Sequence, residues 1–152
     1  MRHRAILCGL AIIAAGGAAA SKPSATMSPQ QAVMAAADAA PRGVRGTFAM
    51  LVRGTGRANG HVFLNSEEDY RDQQNLSIDV DIRATKLLER QLGSPPDKFY
   101  KGKWIEVHGT ARRLPIGFFD DHGRPLRKYY FQTHVPVREP GQITVVAPPL
   151  SS

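Results

Sequence analysis

The chain has 152 residues, 42% of them hydrophobic, and a formal net charge of +7. That length suits one domain, and that apolar content is compatible with a packed core. A single cysteine excludes a disulfide framework and a thiolate metal site, and the positive charge favours polyanions such as nucleic acid, acidic glycans or lipid headgroups, although it also serves solubility.

Arg2 and Arg4 precede an apolar run from Ala5 to Ala15, and Ala18-Ala19-Ala20 follows it. The run is shorter than the ~20 residues that span a bilayer. Basic start, apolar run and small-residue end, in that order, predict a signal peptide over residues 1–20, cleaved before Ser21. Export to the periplasm or beyond is therefore expected. Cys8 lies inside the apolar run rather than at its end, so no lipid anchor is expected. The mature chain then has no cysteine, and 18 basic residues stand against 13 acidic ones, a net +5.

Residues 21–43 read as a linker with a short helix. Ser28-Pro29-Gln30-Gln31 places Ser at the N-cap, Pro at the first helical position and Gln three residues on. The Ala-rich stretch Ala32 to Ala40 follows, and Pro41 ends it. The domain is expected over residues 44–146. Thr47 to Val52 reads as a first strand with Phe48, Met50 and Val52 on one face. Gly54 and Gly56 suggest a bend. Asn59-Gly60 is a strong hairpin signal, and His61 to Leu64 returns as the second strand. Asn65 to Asn75 is an acidic loop, expected to pair with nearby arginines, Arg71 among them. Leu76, Ile78, Val80 and Ile82 then alternate with Ser77, Asp79 and Asp81 in a third strand. Ala84, Leu87, Leu88 and Leu92 share one face of a helix that Gly93 and Pro95-Pro96 stop.

Lys101 to Arg113 predicts a fourth strand, with Ile105 and Val107 facing one way and Trp104, Glu106 and His108 the other. Gly109 marks a bend. Leu114 to Phe119 leads to the turn-like Asp120-Asp121-His122-Gly123, and Lys128 to Val137 returns as the fifth strand. Ile143 to Val146 is a candidate edge strand, and residues 147–152 are a Pro-containing tail. No repeat and no second domain is apparent.

Three strands, a helix and two more strands is the order of the OB-fold. The stretch from Gly46 to Val146 resembles that superfamily, through the bent first strand, "HVFLN", the helix after "LSIDVDI", and "GKWIEVHGTARR" with its returning aromatic strand. It is similar to small exported bacterial OB-fold domains. The resemblance implies a mainly β fold: a five-stranded barrel with one helix between strands three and four, plus the short N-terminal helix. It also implies a ligand face on the second and third strands, between the first-to-second and fourth-to-fifth loops. Another small barrel, or a split sandwich, would give a similar pattern.

The candidate binding residues lie on the long hairpin: Arg112, Arg113, Phe118, Phe119, Arg124, Arg127, Lys128 and Tyr130. Aromatics for stacking beside cations for phosphates is the chemistry of single-strand binding. The bland alternative is that the phenylalanines close the barrel mouth and the arginines form a solvated rim. Asp79 and Asp81 argue against nucleic acid, because they stand where a phosphate backbone would pass. His108 and His134, with Glu106 or Asp79, could be imagined to hold zinc or copper, but no close-spaced ligand pair supports it. Thermonuclease-like chemistry would use Asp79 and Asp81 with Arg53 or Arg113, and no motif matches. The expectation is a monomeric, exported, non-catalytic binding module without cofactor or metal. Its expected partner is a protein or an anionic envelope polymer held by the hairpin, with single-stranded nucleic acid or a phosphodiesterase as alternatives.

Overall fold

The computed structural model describes residues 25–150. The expected signal peptide, Cys8 and the cleavage point before Ser21 lie outside the described residues.

Helix α1 spans Pro29–Asp38 and begins with the expected capping box. Ser28 Oγ accepts from the Gln31 N–H, and Gln31 Oε1 accepts from the Ser28 N–H at 2.9 Å. Strands β1 (Val44–Leu51), β2 (Gly54–Ala58), β3 (His61–Asn65) and β4 (Leu76–Val80) follow. The β2–β3 turn uses Asn59 at φ 51° and Gly60 at φ 82°, the left-handed pair that a tight hairpin of this kind requires. Helix α2 (Ile82–Leu92) ends at Gly93 in the left-handed conformation. A short helix α3 (Pro96–Tyr100) comes next, then β5 (Trp104–Phe119), β6 (Pro125–Val137), a 3-10 turn (Pro140–Gln142) and β7 (Ile143–Val145).

Several expectations need correction. Among the described residues there are seven strands rather than five. The first expected strand is broken at Val52–Arg53, so β1 pairs with β5 while β2 pairs with β3. Helix α2 consequently follows the fourth strand, not the third. Pro96 does not merely stop a helix: it opens α3, because a proline costs nothing at the first helical position. Asp81 is not a strand residue. Its side chain caps α2, accepting from the Ala84 N–H at 2.7 Å.

The strand order is β1-β5-β6-β4-β3-β2, with β7 on β5. All these pairings are antiparallel except β4 with β6. Strand β5 couples the two halves of the sheet. Its first half, to Ala111, pairs with β1, and its second half, from Arg112, pairs with β6. Gly109 sits just before this switch. A Cβ there would lie 2.6 Å from Val135 Cγ1, so the strand can curl over β6 only with no side chain at that point. The result is a curled half-barrel, consistent with the OB-type barrel that the resemblance implies.

The concave side holds the core. Phe48, Met50 and Val52 face inward as their alternation predicts, and so do Ile105 and Val107, with Leu76, Ile78 and Val80. Burying each such side chain contributes ~1.5–3 kcal/mol. Ala32 and Ala36 of α1 are fully buried, as is Ala84 of α2. Strands β5 and β6 continue past the core as a two-stranded arm.

Candidate ligand-binding face

The convex face of β3, β4 and β6 carries the side chains whose parity is opposite to the core. On β3 these are His61 and Phe63, on β4 Ser77 and Asp79, and on β6 Gln132 and His134. Phe63 stands opposite Asp79, and Ser77 opposite His134. The rings form a run. His61 stacks on Phe63 with centroids 6.1 Å apart, and Phe63 meets His134 edge-on at 6.0 Å. Such aromatic pairs prefer these offset and edge geometries. Gly56 stands opposite Phe63 on β2 and adds no side chain, leaving space beside the ring. A groove of about 330 Å³ opens there, lined by Thr55, Phe63, Asn65, Tyr70, Ser77 and Gln132 among others.

Polar groups thread this run. His61 Nδ1 lies 2.6 Å from Asp79 Oδ1. Gln132 links two rings: its Oε1 is 2.7 Å from His134 Nε2, and its Nε2 donates to Tyr130 Oη at 2.5 Å. His134 is only 9% exposed. Burial pushes its pKa below the usual histidine value, against the opposing pull of the Asp79 charge. The ring is therefore neutral near pH 7, a hydrogen-bonding aromatic rather than a cation.

Beyond His134 the face runs onto the arm. Residues directly opposite each other in an antiparallel pair share a face. Arg112, Leu114 and Ile116 pair with His134, Gln132 and Tyr130, so this side continues the convex face. Phe118 joins it, 5.4 Å from the Tyr130 ring. Arg113 pairs with Thr133 and lies on the other side, where its guanidinium sits 3.7 Å over the Phe131 ring. By the same alternation Lys128 belongs with Tyr130 and Arg127 with Tyr129. Phe119 lies past a register shift and is 64% exposed. Arg124 closes the tip, its Nε donating to Asp120 Oδ2 at 2.8 Å. The eight hairpin residues singled out from the sequence thus do not form one cluster. They divide between two faces and a tip.

Other candidates separate as well. His108 does not join His134: it bonds Thr47 Oγ1 at 2.8 Å over β1, whereas His134 neighbours Ser77 and Arg112. Among the described residues, no three His, Cys, Asp or Glu side chains gather as a metal site would require. The acidic loop does not pair with arginines as expected. Asp69 and Asp72 accept from the backbone N–H groups of Arg71 and Gln74, and Arg71 packs over the Tyr70 ring. The thermonuclease-like set is not assembled either, with Asp81 capping α2 and Arg113 on Phe131.

The run His61–Phe63–His134–Gln132 did not figure among the hairpin candidates. Its signal was present in the alternation His61-Val62-Phe63-Leu64, which puts both rings opposite the core. Only the sheet order brings His134 beside them.

No family profile matches the sequence, and no curated protein matches it. Among solved structures, a crystal structure attributed to an aspartyl-tRNA synthetase of Leishmania major Friedlin aligns with 88% of this chain and 23% of that one, at 11% identity and a TM-score of 0.46. An aspartyl-tRNA synthetase from Entamoeba histolytica aligns over 74% of this chain and 20% of its own, at 12% identity and a TM-score of 0.41. The chain spans about a fifth to a quarter of the length of these proteins.

Proposed function

We propose that this protein is an exported, non-catalytic OB-type module that binds a single-stranded nucleic acid across the convex face of β3, β4 and β6 and onto the arm. The observation that carries this is the contiguous run His61–Phe63–His134, joined through Gln132 to Tyr130 and Phe118. Bases stack on such rings whatever their sequence. The Asp79 carboxylate, which the sequence reading sets against phosphate, is held in a hydrogen bond to His61 Nδ1. Arg112 and Lys128 border the same face, with Arg113 and Arg127 behind it.

A second reading, docking of a protein partner on the arm, is favoured by a different observation. Leu114, Phe118, Leu126, Tyr129 and Phe131 are all more than a third exposed on the arm's two faces. Exposed apolar groups at that density often mark interaction surfaces.

Fluorescence anisotropy with a labelled single-stranded oligonucleotide separates the two. Nucleic-acid binding predicts a logarithm of affinity that falls with log salt by about 0.7 per phosphate neutralised. Phe63→Ala and Phe118→Ala each weaken it by ~1–3 kcal/mol with little change in slope. Changing Arg112 and Lys128, the cations that border the face, together to Ala flattens the slope. Absence of binding at low salt would overturn the nucleic-acid reading and leave the protein-docking one.

A further inference from the structure

A second concave region lies on the convex side where β1, β5 and the end of β6 meet. It has a volume of about 910 Å³, is open to solvent, and is lined by Arg45, Thr47, His108, Thr110, Arg112 and Arg138, together with Gly46, Gly109, Pro136 and Gln142. Among the described residues, no carboxylate lines it. The register explains the convergence. Arg45 stands opposite Thr110, and Thr47 opposite His108, on successive outward positions of one antiparallel pair. Arg112 is the next outward residue of β5, and Arg138 follows the end of β6.

The walls are held. Gln142 bridges the gap that opens where β5 leaves β6: its Nε2 donates to the His108 and Pro136 carbonyls, and its Oε1 accepts from the Arg138 and Glu139 N–H groups. Arg112 is anchored by Nε, which donates to the Arg42 carbonyl at 3.3 Å. Its stem lies against Gly43, where a Cβ would come within 2.6 Å of Arg112 Cγ. Among the described residues, none of Arg45, Arg112 and Arg138 has a carboxylate partner within ion-pair distance. Three unpaired guanidinium groups around one hollow, with two hydroxyls and an imidazole, match the donor set that a clustered oxyanion demands.

We propose that this hollow binds a phosphate-bearing group carrying several negative charges, through Arg45, Arg112 and Arg138 with Thr47 and Thr110. It shares Arg112 with the border of the aromatic face but uses none of its rings. Two sources could supply that chemistry, a free oligophosphate or the phosphates of a bound polymer.

Titration calorimetry with sodium tripolyphosphate at low salt tests it. Wild type is expected to bind, and a variant carrying Arg45→Gln and Arg138→Gln to bind at least tenfold more weakly. A variant with Arg127→Gln and Lys128→Gln loses the same charge on the arm and is expected to bind like wild type. Phe63→Ala, which probes the aromatic face, should leave tripolyphosphate binding unchanged even where it abolishes oligonucleotide binding. Displacement of a labelled oligonucleotide by tripolyphosphate assigns the hollow to polymer phosphates, and simultaneous binding assigns it to a free oligophosphate. Either result supports the site. Failure of wild type to bind, or an equal loss in the arm variant, would overturn it, the latter because it would mean diffuse attraction to a basic protein.

Discussion

His61 on β3 and Asp79 on β4 are diagonal neighbours on the convex face, their side chains 2.6 Å apart at Nδ1 and Oδ1. Both are partly exposed, so the pair matters less for stability than for the charge that the face presents. Its partner removed, Asp79 would face a bound phosphate chain alone. His61→Ala is expected to weaken oligonucleotide binding roughly tenfold, about 1.4 kcal/mol. Adding Asp79→Asn to that variant should restore the part of the loss that is due to charge and leave the part due to the missing ring. Anisotropy titrations of the two variants check this; a single variant that binds like wild type would show that the carboxylate does not face the ligand.

The core assignment is testable on β5. Ile105 is fully buried. Ile105→Ala is expected to cost ~2–5 kcal/mol, since the cavity adds to the lost transfer energy. Gly109→Ala should cost ~1–3 kcal/mol by the opposite mechanism, overpacking against Val135. Urea denaturation measures both.

His134 makes stability depend on pH with a definite sign. Burial lowers its pKa in the folded chain below the ordinary histidine value of about 6.5. The unfolded chain therefore binds the proton first, so the contribution is fully present above that value and lost as pH falls through the folded pKa. The urea midpoint of wild type should drop as pH falls below 6.5, and His134→Gln should drop less over the same range. Equal pH profiles would mean that the ring is not held neutral.

Export is tested at the N-terminus. The order of Arg2, Arg4, the apolar run and Ala18-Ala19-Ala20 predicts a mature chain that begins at Ser21. Mass spectrometry of protein isolated from its native source should return that mass, whereas a soluble form retaining Met1 would contradict export.

Local elements were legible because their causes are local. Ser28 and Gln31 cap α1 through contacts three residues apart. Asn59-Gly60 turns β2 into β3 through its own backbone preference. The inward faces of β1, β4 and β5 follow from period-two alternation. Where a local rule permits two outcomes, the tertiary structure decides between them. Asp81 continues an alternating pattern and is also a good helix cap, and the cap won. Pro96 can end one helix or open another, and it opens α3.

The sequence by itself determined the inward and outward faces of the strands, because burial of apolar side chains repeats with the period of each element; Ile82, which extends the alternation of β4, instead begins α2 and is exposed. The sequence did not determine which outward residues meet. His61, Phe63 and His134 are brought together by a parallel contact between β4 and β6 that joins residues more than 50 positions apart. Arg45, Arg112 and Arg138 converge because β5 changes partners between Ala111 and Arg112 and Gln142 spans the gap. Those neighbours are set by strand order and by the curl of the sheet, and both arise from packing of the whole core rather than from any stretch of chain.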